Sequence, residues 1–406
     1  MTQTEAHLTF DGLGIAPKLI EVLDRLKFKH PTPIQYKAIP AALEGKDIVG
    51  IAQTGTGKTL AFGIPIVQRL SIHKGKALIL VPTRELAVQV NETFEKLMPF
   101  YGMKAAVLIG GAPMPPQLQA LRRNPRVIIA TPGRLIDHLE QRTVMLADVS
   151  VLVLDEADRM LDMGFEPQVR RILRVVPKDR QTLFFSATMP KPILDMAAQH
   201  MKLPVCVEIA RSGTTPERLI QELFIVSQER KRELLKKLLH QYHGSVLVFA
   251  RTRIGAKRIA LALKDMGQSA AQIHADRTLV QRREALEGFK TGRYRVLVAT
   301  DIAARGIDVT GIEVVINYDL PEEAENYVHR IGRTGRAGHE GRAISFATPD
   351  QAGEVRQIEG LLRQPLTISQ HPEVPGESFY ESRRPQGGFG GGRRRSFGSL
   401  RRGRRR

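Results

Sequence analysis

The sequence predicts an α/β protein of two tandem domains, each a parallel sheet covered by helices, followed by a disordered basic tail. Short apolar runs alternate with helical patterns, the arrangement expected of a parallel sheet covered on both faces. The alternation stops at a small, polar segment, Ala210 to Pro216, and then begins again. From Arg383 to Arg406 the chain holds ten arginines and no acid.

The first series of predicted strands is IVGIA at 48–52, ALILV at 77–81, AAVLI at 105–109, VIIA at 127–130, VLVL at 151–154 and TLFF at 182–185. The second is SVLVFA at 245–250, AAQIH at 270–274, RVLVA at 295–299, VVINY at 314–318 and AISFA at 343–347. These series place one domain at 1–207, a linker at 208–217 and a second domain at 218–365. Residues 366–406 are expected to be disordered, because an Arg/Gly-rich segment cannot bury enough apolar surface to offset its ordering entropy. The amphipathic stretch KRELLKKLLHQ is expected to be a core-packing helix and not a membrane-surface one.

With 406 residues the chain exceeds what one core usually organises, so two domains are also the expectation from length. Cys206 is the only cysteine and the eleven histidines show no zinc-site spacing, so neither disulfide nor structural metal is expected. The first ten residues are polar, with Glu5, and do not resemble a signal peptide; no apolar run of about eighteen residues appears. A soluble, cytoplasmic, monomeric protein is expected. The formal charge of +19 sits disproportionately in the tail, which suggests a polyanionic partner, most simply nucleic acid.

AQTGTGKT at 52–59 follows a predicted strand and opens a helical pattern. Gly55 and Gly57 let backbone N–H groups approach phosphates, along with Gln53, Thr54 and Thr56; Lys58 reaches the outer phosphates and Thr59 lies near a Mg²⁺. A strict P-loop would have Gly at Ala52, so a purely structural turn stays open on this motif alone. The second element, VLVLDEAD, places Asp155 and Glu156 at a strand end. Asp155 is the candidate Mg²⁺ ligand, partly through water, and Glu156 the base or orienter of the attacking water. Asp158 is either a third functional acid or a helix cap.

These motifs, and those that follow, resemble the DEAD-box RNA helicases of bacterial type, about ten motifs in the family's order up to about residue 365. The resemblance implies two RecA-like domains, ATP and Mg²⁺ as cofactors and RNA as partner. Phe28 to Gln35 is similar to the family's adenine-reading motif, which implies that the Gln35 amide reads the base and Phe10 stacks on it. Read without the family, Phe10 is a core anchor and Gln35 a helix-surface residue.

Pro82-Thr83-Arg84, Gly110-Gly111 and Thr131-Pro132-Gly133-Arg134 each follow a predicted strand and enter a helix. Their hydroxyls, N–H groups and arginines suit sugar-phosphate contacts, while helix capping explains them equally well. The resemblance joins them into an RNA track, continued in the second domain by Arg251, Thr252 and Thr300, and implies that Asp308 approaches the nucleotide ribose. It makes Ser186, Thr188 and Asp158 coupling residues. Arg333 and Arg336 would enter the other domain's site as arginine fingers, and His329 would bridge the domains.

The family's His-Gly and Gln-x-x-Arg elements are changed here. His274-Ala275 stands for the first, and Leu279 takes the place of Gln in the second, with Arg282 retained. The interdomain contact is therefore expected to be weakened or rearranged. The activity implied is RNA-stimulated ATP hydrolysis driving local, non-processive unwinding. Rivals are an RNA clamp or annealing chaperone and a DNA translocase on the same fold. The tail is expected to tether RNA, and ribosomal particles or RNA-decay machinery are the possible settings.

Overall fold

The computed structural model describes residues 8–52, 55–209, 219–304, 309, 311–335 and 341–380. Two seven-stranded sheets form, every pairing within them parallel. The first holds β1 (Ile48–Ile51), β2 (Lys76–Leu80), β3 (Ala105–Leu108), β4 (Val127–Ala130), β5 (Val149–Asp155), β6 (Gln181–Ser186) and β7 (Val205–Glu208) in the order β3-β4-β2-β5-β6-β1-β7. The second holds β8 (Leu219–Ile225), β9 (Val246–Phe249), β10 (Ala270–Ile273), β11 (Val296–Ala299), β12 (Val314–Asn317), β13 (Gly341–Ala347) and β14 (Thr367–Ile368) in the order β10-β11-β9-β12-β13-β8-β14. Counted within each domain, the two orders are the same, so every strand in one sheet has a topological counterpart in the other.

The central strands β4, β9, β11 and β12 are buried along their whole length. That is why they read as continuous apolar runs and not as alternating ones. Helices cover both faces and divide each domain's apolar interior into layers on either side of its sheet. Val151 and Val153 point to one side of β5, Leu152 and Leu154 to the other. A parallel sheet aligns the carboxyl ends of its strands on one edge, and that edge is where the glycine loop, the acids at 155–158, Ser186, the loops at 82–84, 110–111 and 131–134, and Arg251, Thr252 and Thr300 emerge.

Three strands escaped the sequence reading, and two of them, β7 and β8, did so because each is an edge or mixed segment. β7 alternates with exposed positions, and β8 carries Gln221 and Glu222 inside it. The larger correction concerns residues 366–380, which the sequence assigned to a disordered tail. β14 pairs with β8, the Ser369 and Glu377 amides donate to the Leu223 and Ile225 carbonyls, and Val374 is 1% exposed in the second domain's core. Three specific contacts order an aperiodic stretch, so this domain extends to at least Tyr380. The linker expectation falls mostly on residues 210–218, outside the described residues, as does the tail from Glu381. Among the described residues, no helix is long and apolar enough to cross a membrane.

Candidate nucleotide site and nucleic-acid interface

β1 runs into the glycine loop, and the helix Lys58–Ile72 starts directly after it. Gly57 caps that helix at φ 88°, a conformation other residues reach only with strain, and a Cβ there would collide with the Gln35 amide. Gln35 is buried, accepts from the Thr32 N–H at 2.9 Å and donates to the Gly57 carbonyl at 3.0 Å. It therefore fixes the loop from beside and is not a helix-surface residue; one of its N–H groups and one acceptor position remain for a base. Phe10 is 5% exposed and packs within the first domain's core. Gln53 and Thr54 lie outside the described residues; Thr56 and Thr59 flank the helix start.

Lys58 is 6% exposed, and its Nζ makes no hydrogen bond among the described residues. Its nearest acid is Asp155, with Oδ1 at 3.9 Å. A buried ammonium so placed calls for an anion. Burial pushes the Asp155 carboxyl up to about 6, opposed by Lys58 and reinforced by its neighbour Glu156. Burial acts on Glu156 in the same sense. The guanidinium of Arg159 at 2.5 Å, together with Lys58 and Arg333, outweighs it and holds that carboxyl down, to about 2. Glu156 also sits at φ 54°, a left-handed backbone that is strained for glutamate and sets its side chain between these cations.

These features fit a nucleotide with a divalent cation: a buried cation without a hydrogen bond, a glycine loop at a helix start, and a carboxylate destabilised by burial. Among the described residues no cluster of three or more His, Cys, Asp or Glu could hold a metal alone. Asp155 and Thr59 would therefore share a Mg²⁺ with phosphate and water oxygens.

Asp158 is tied across two strands, and its Oδ1 also accepts from the Arg159 N–H, at 3.0 Å, in the first turn of its own helix. Its Oδ2 accepts from the Ala187 N–H at 3.0 Å, the Thr188 N–H at 2.9 Å and the Thr188 hydroxyl at 3.0 Å. Its own N–H donates to Ser186 Oγ at 3.2 Å. Asp158, Ser186 and Thr188 thus form one buried unit joining the ends of β5 and β6.

The remaining first-domain motifs gather at the ends of the adjacent strands β2, β4 and β3. Thr83 caps the helix Arg84–Leu97, and the Arg84 guanidinium lies over Gly111, which stands at φ 69°, a backbone strained for other residues. Arg134 donates to the Ala112 carbonyl at 3.0 Å, joining the third motif to the second. Thr131 makes no side-chain capping bond, so its hydroxyl is not committed to that role; Pro132 is the first helical residue, followed by Gly133. Gly110 completes the group beside Arg84. In the second sheet, Arg251 and Thr252 follow β9 and Thr300 follows β11, the counterparts of β2 and β4. The predicted RNA residues therefore occupy the same half of each sheet.

The two domains meet near the acids. Arg333 is 3% exposed and acts electrostatically on Glu156, and a narrow cleft is lined by Arg159 from the first domain and by Asp301, His329, Arg330 and Arg333 from the second. Asp308 and Arg336 lie outside the described residues. Arg282 reaches across to Glu85, Nη2 to Oε2 at 2.9 Å, with both side chains buried. Leu279, in place of the expected Gln, packs against the first domain's core. The interdomain contact here is an apolar contact beside a buried ion pair. Sequence reasoning missed Glu85 as that partner and Arg159 as the cation on Glu156; the i, i+3 spacing of Glu156 and Arg159 on a helix start was the available signal.

Known proteins share this arrangement. The DEAD/DEAH box helicase family model matches residues 32–196, and the helicase conserved C-terminal domain matches residues 230–338. The ATP-dependent rRNA helicase RRP3 of Meyerozyma guilliermondii is 44% identical over 87% of this chain and 75% of its own. The ATP-dependent RNA helicase CshA of Listeria monocytogenes is 43% identical over 89% of this chain and 70% of its own. Among solved structures, S. cerevisiae Dbp5 bound to RNA and ADP BeF3 superposes with TM-score 0.79 at 30% identity, covering 90% of this chain and 96% of that one. A point variant of the same yeast protein, bound to a Gle1 variant and IP6, gives 0.71 at 30% identity, covering 90% and 95%. With both halves of the chain matched and its glycine loop, acids and interdomain arginine in one site, this protein belongs to the DEAD-box family of ATP-dependent RNA helicases.

Proposed function

We propose that ATP, with Mg²⁺, binds at the first domain's glycine loop and that RNA lies across the β2-β4-β3 and β9-β11-β10 strand ends of both domains. Closure of the domains on both ligands completes the site and separates short duplexes locally, without processive travel. The observation that carries this reading is the placement of Arg333 against Glu156 across the domain boundary, because an arginine there can stabilise charge developing on a transferred phosphoryl group. The better superposition on the RNA- and nucleotide-bound form of the yeast relative supports the same arrangement. Glu156, held down by three cations, is suited to orienting a water more than to removing its proton.

The relatives named as rRNA helicases favour ribosomal RNA over RNA decay as the setting; a cytoplasmic location and a monomeric state are part of the same proposal. The tail's ten arginines would tether RNA nonspecifically.

The deciding experiment is E156Q. It should retain RNA in a long-lived complex with ATP while turnover falls about 10²- to 10⁴-fold. Full ATPase activity in that variant would remove Glu156 from the mechanism. Equal stimulation by RNA and single-stranded DNA in the wild type would favour the translocase reading. Truncation after Tyr380 should weaken RNA binding and flatten its salt dependence; an unchanged salt slope would end the tether.

A further inference from the structure

Lys231 is a buried lysine with no part in the nucleotide site, yet it stands where the second sheet repeats that site's geometry. It begins the helix Lys231–Gln241 after β8, as Lys58 begins its helix after β1, and it faces the end of β12, the counterpart of β5. Its Nζ donates to the Tyr318 carbonyl at 2.9 Å and to Asp319 Oδ1 at 3.1 Å, and its side chain is 2% exposed. The other carboxylate oxygen of Asp319 accepts from the Arg251 N–H at 3.1 Å. The Asp319 carbonyl accepts from Arg330 Nη1 at 2.6 Å, and Arg330 grips the Asp301 carboxylate at 2.5 and 2.7 Å. Asp319 is therefore the hub between Arg251 at the end of β9 and the Thr300-Asp301 turn at the end of β11.

We propose that Lys231, acting through Asp319, is a positioning residue for RNA binding by the second domain. A carboxylate oriented on one side by a buried ammonium presents its second oxygen in a fixed direction. That oxygen holds the backbone of Arg251, and with it the direction in which the Arg251 and Thr252 side chains leave the sheet. The lysine–acid pair that in the first domain faces a phosphate site serves in the second as a brace beneath the RNA loop. The inference rests on the reading of Arg251 as an RNA contact.

ATP turnover titrated with an oligonucleotide RNA tests it, using full-length wild type, K231M, R251A and the double variant. K231M should raise the half-saturating RNA concentration roughly tenfold and leave turnover at saturating RNA and the KM for ATP unchanged. Because both residues act through one turn, the double variant should show less than the product of the single effects. D319N is expected to behave as K231M does, and it decides by the same criteria if K231M fails to fold. A strong R251A defect with multiplicative effects, or with no change in K231M or D319N, overturns the positioning role and leaves the RNA reading standing. An R251A variant with normal RNA dependence overturns the RNA reading and the brace with it.

Discussion

Lys58 and Lys231 begin topologically equivalent helices, both are buried, and each faces an acid at the end of the equivalent strand. Lys58 Nζ stands 3.9 Å from Asp155 without a hydrogen bond among the described residues, whereas Lys231 donates at 2.9 and 3.1 Å. The loops before them differ in the same sense. Gly55 and Gly57 both have positive φ, while Val226 to Arg230 contains no glycine. One architecture has thus been used twice, once with a cation left for an anionic ligand and once with the cation consumed by its own domain. Buried ammonium groups are costly unless paired, so the first arrangement makes sense where a phosphate supplies the missing partner.

If the first site is incomplete by itself, the largest effect should come from a residue outside its domain. R333A is expected to lower RNA-stimulated turnover about 10³- to 10⁵-fold, with nucleotide-free RNA binding near normal. Single-turnover hydrolysis measures this. A loss below tenfold would mean that the first domain carries its chemistry unaided.

The two lysines should then separate activity from stability. K58M is expected to reduce turnover about 10²- to 10³-fold while leaving stability nearly unchanged, since the buried ammonium it removes makes only a long ion pair with Asp155 and no hydrogen bond among the described residues. K231M should retain turnover at saturating RNA and lose about 3 kcal/mol of stability, because it strips Asp319 of its buried partner. Urea melts of the two variants give the comparison, and equal destabilisation by both would erase the distinction between an open and a closed site.

Much of this contrast was legible in one dimension, and the parts that were not share a cause. Lys58, Asp155 and Glu156 stand in contiguous strand-loop patterns, so spacing alone located them. Glu85 and Lys231 act through partners made by tertiary packing, which no local pattern records, whereas Arg159 was marked only by its i, i+3 spacing from Glu156. Phe10 is isolated in sequence and its burial depends on helices that come later. Leu279 reads as a weakened contact because the motif asks for an amide there, yet its apolar side chain finds the other domain's core. Residues 366–380 lack periodicity because they follow the outline of a sheet edge instead of a repeating face.

The interdomain contact offers a smaller test of how the halves are joined. R282A would leave Glu85 buried and unpaired, and L279A would remove apolar cover beside it. The expected increases in half-saturating RNA are about tenfold for R282A and about threefold for L279A. L279Q, which restores the family's residue, should fall between wild type and L279A if the amide can serve in place of the apolar contact. A lower half-saturating concentration in L279Q would show that the leucine weakens closure.

The smallest effects should come from the pair where the domains agree most closely. Thr83 and Thr252 cap equivalent helices with φ, ψ of −127°, 155° and −120°, 155°, accepting from Leu86 N–H at 3.3 Å and Gly255 N–H at 3.0 Å. Each alanine variant should lose about 1 kcal/mol of stability, and serine should restore it. A capping oxygen accepts one N–H and keeps its own proton, so the same hydroxyl can still donate to a phosphate. Thr83 is 5% exposed and Thr252 is on the surface, so T252A should cost more RNA affinity than T83A although the two lose similar stability. Filter binding across a salt series, set beside the melts, separates the roles. The opposite ranking would mean that the first domain's hydroxyl uncovers on binding, and that the two RNA faces are less alike than their backbones.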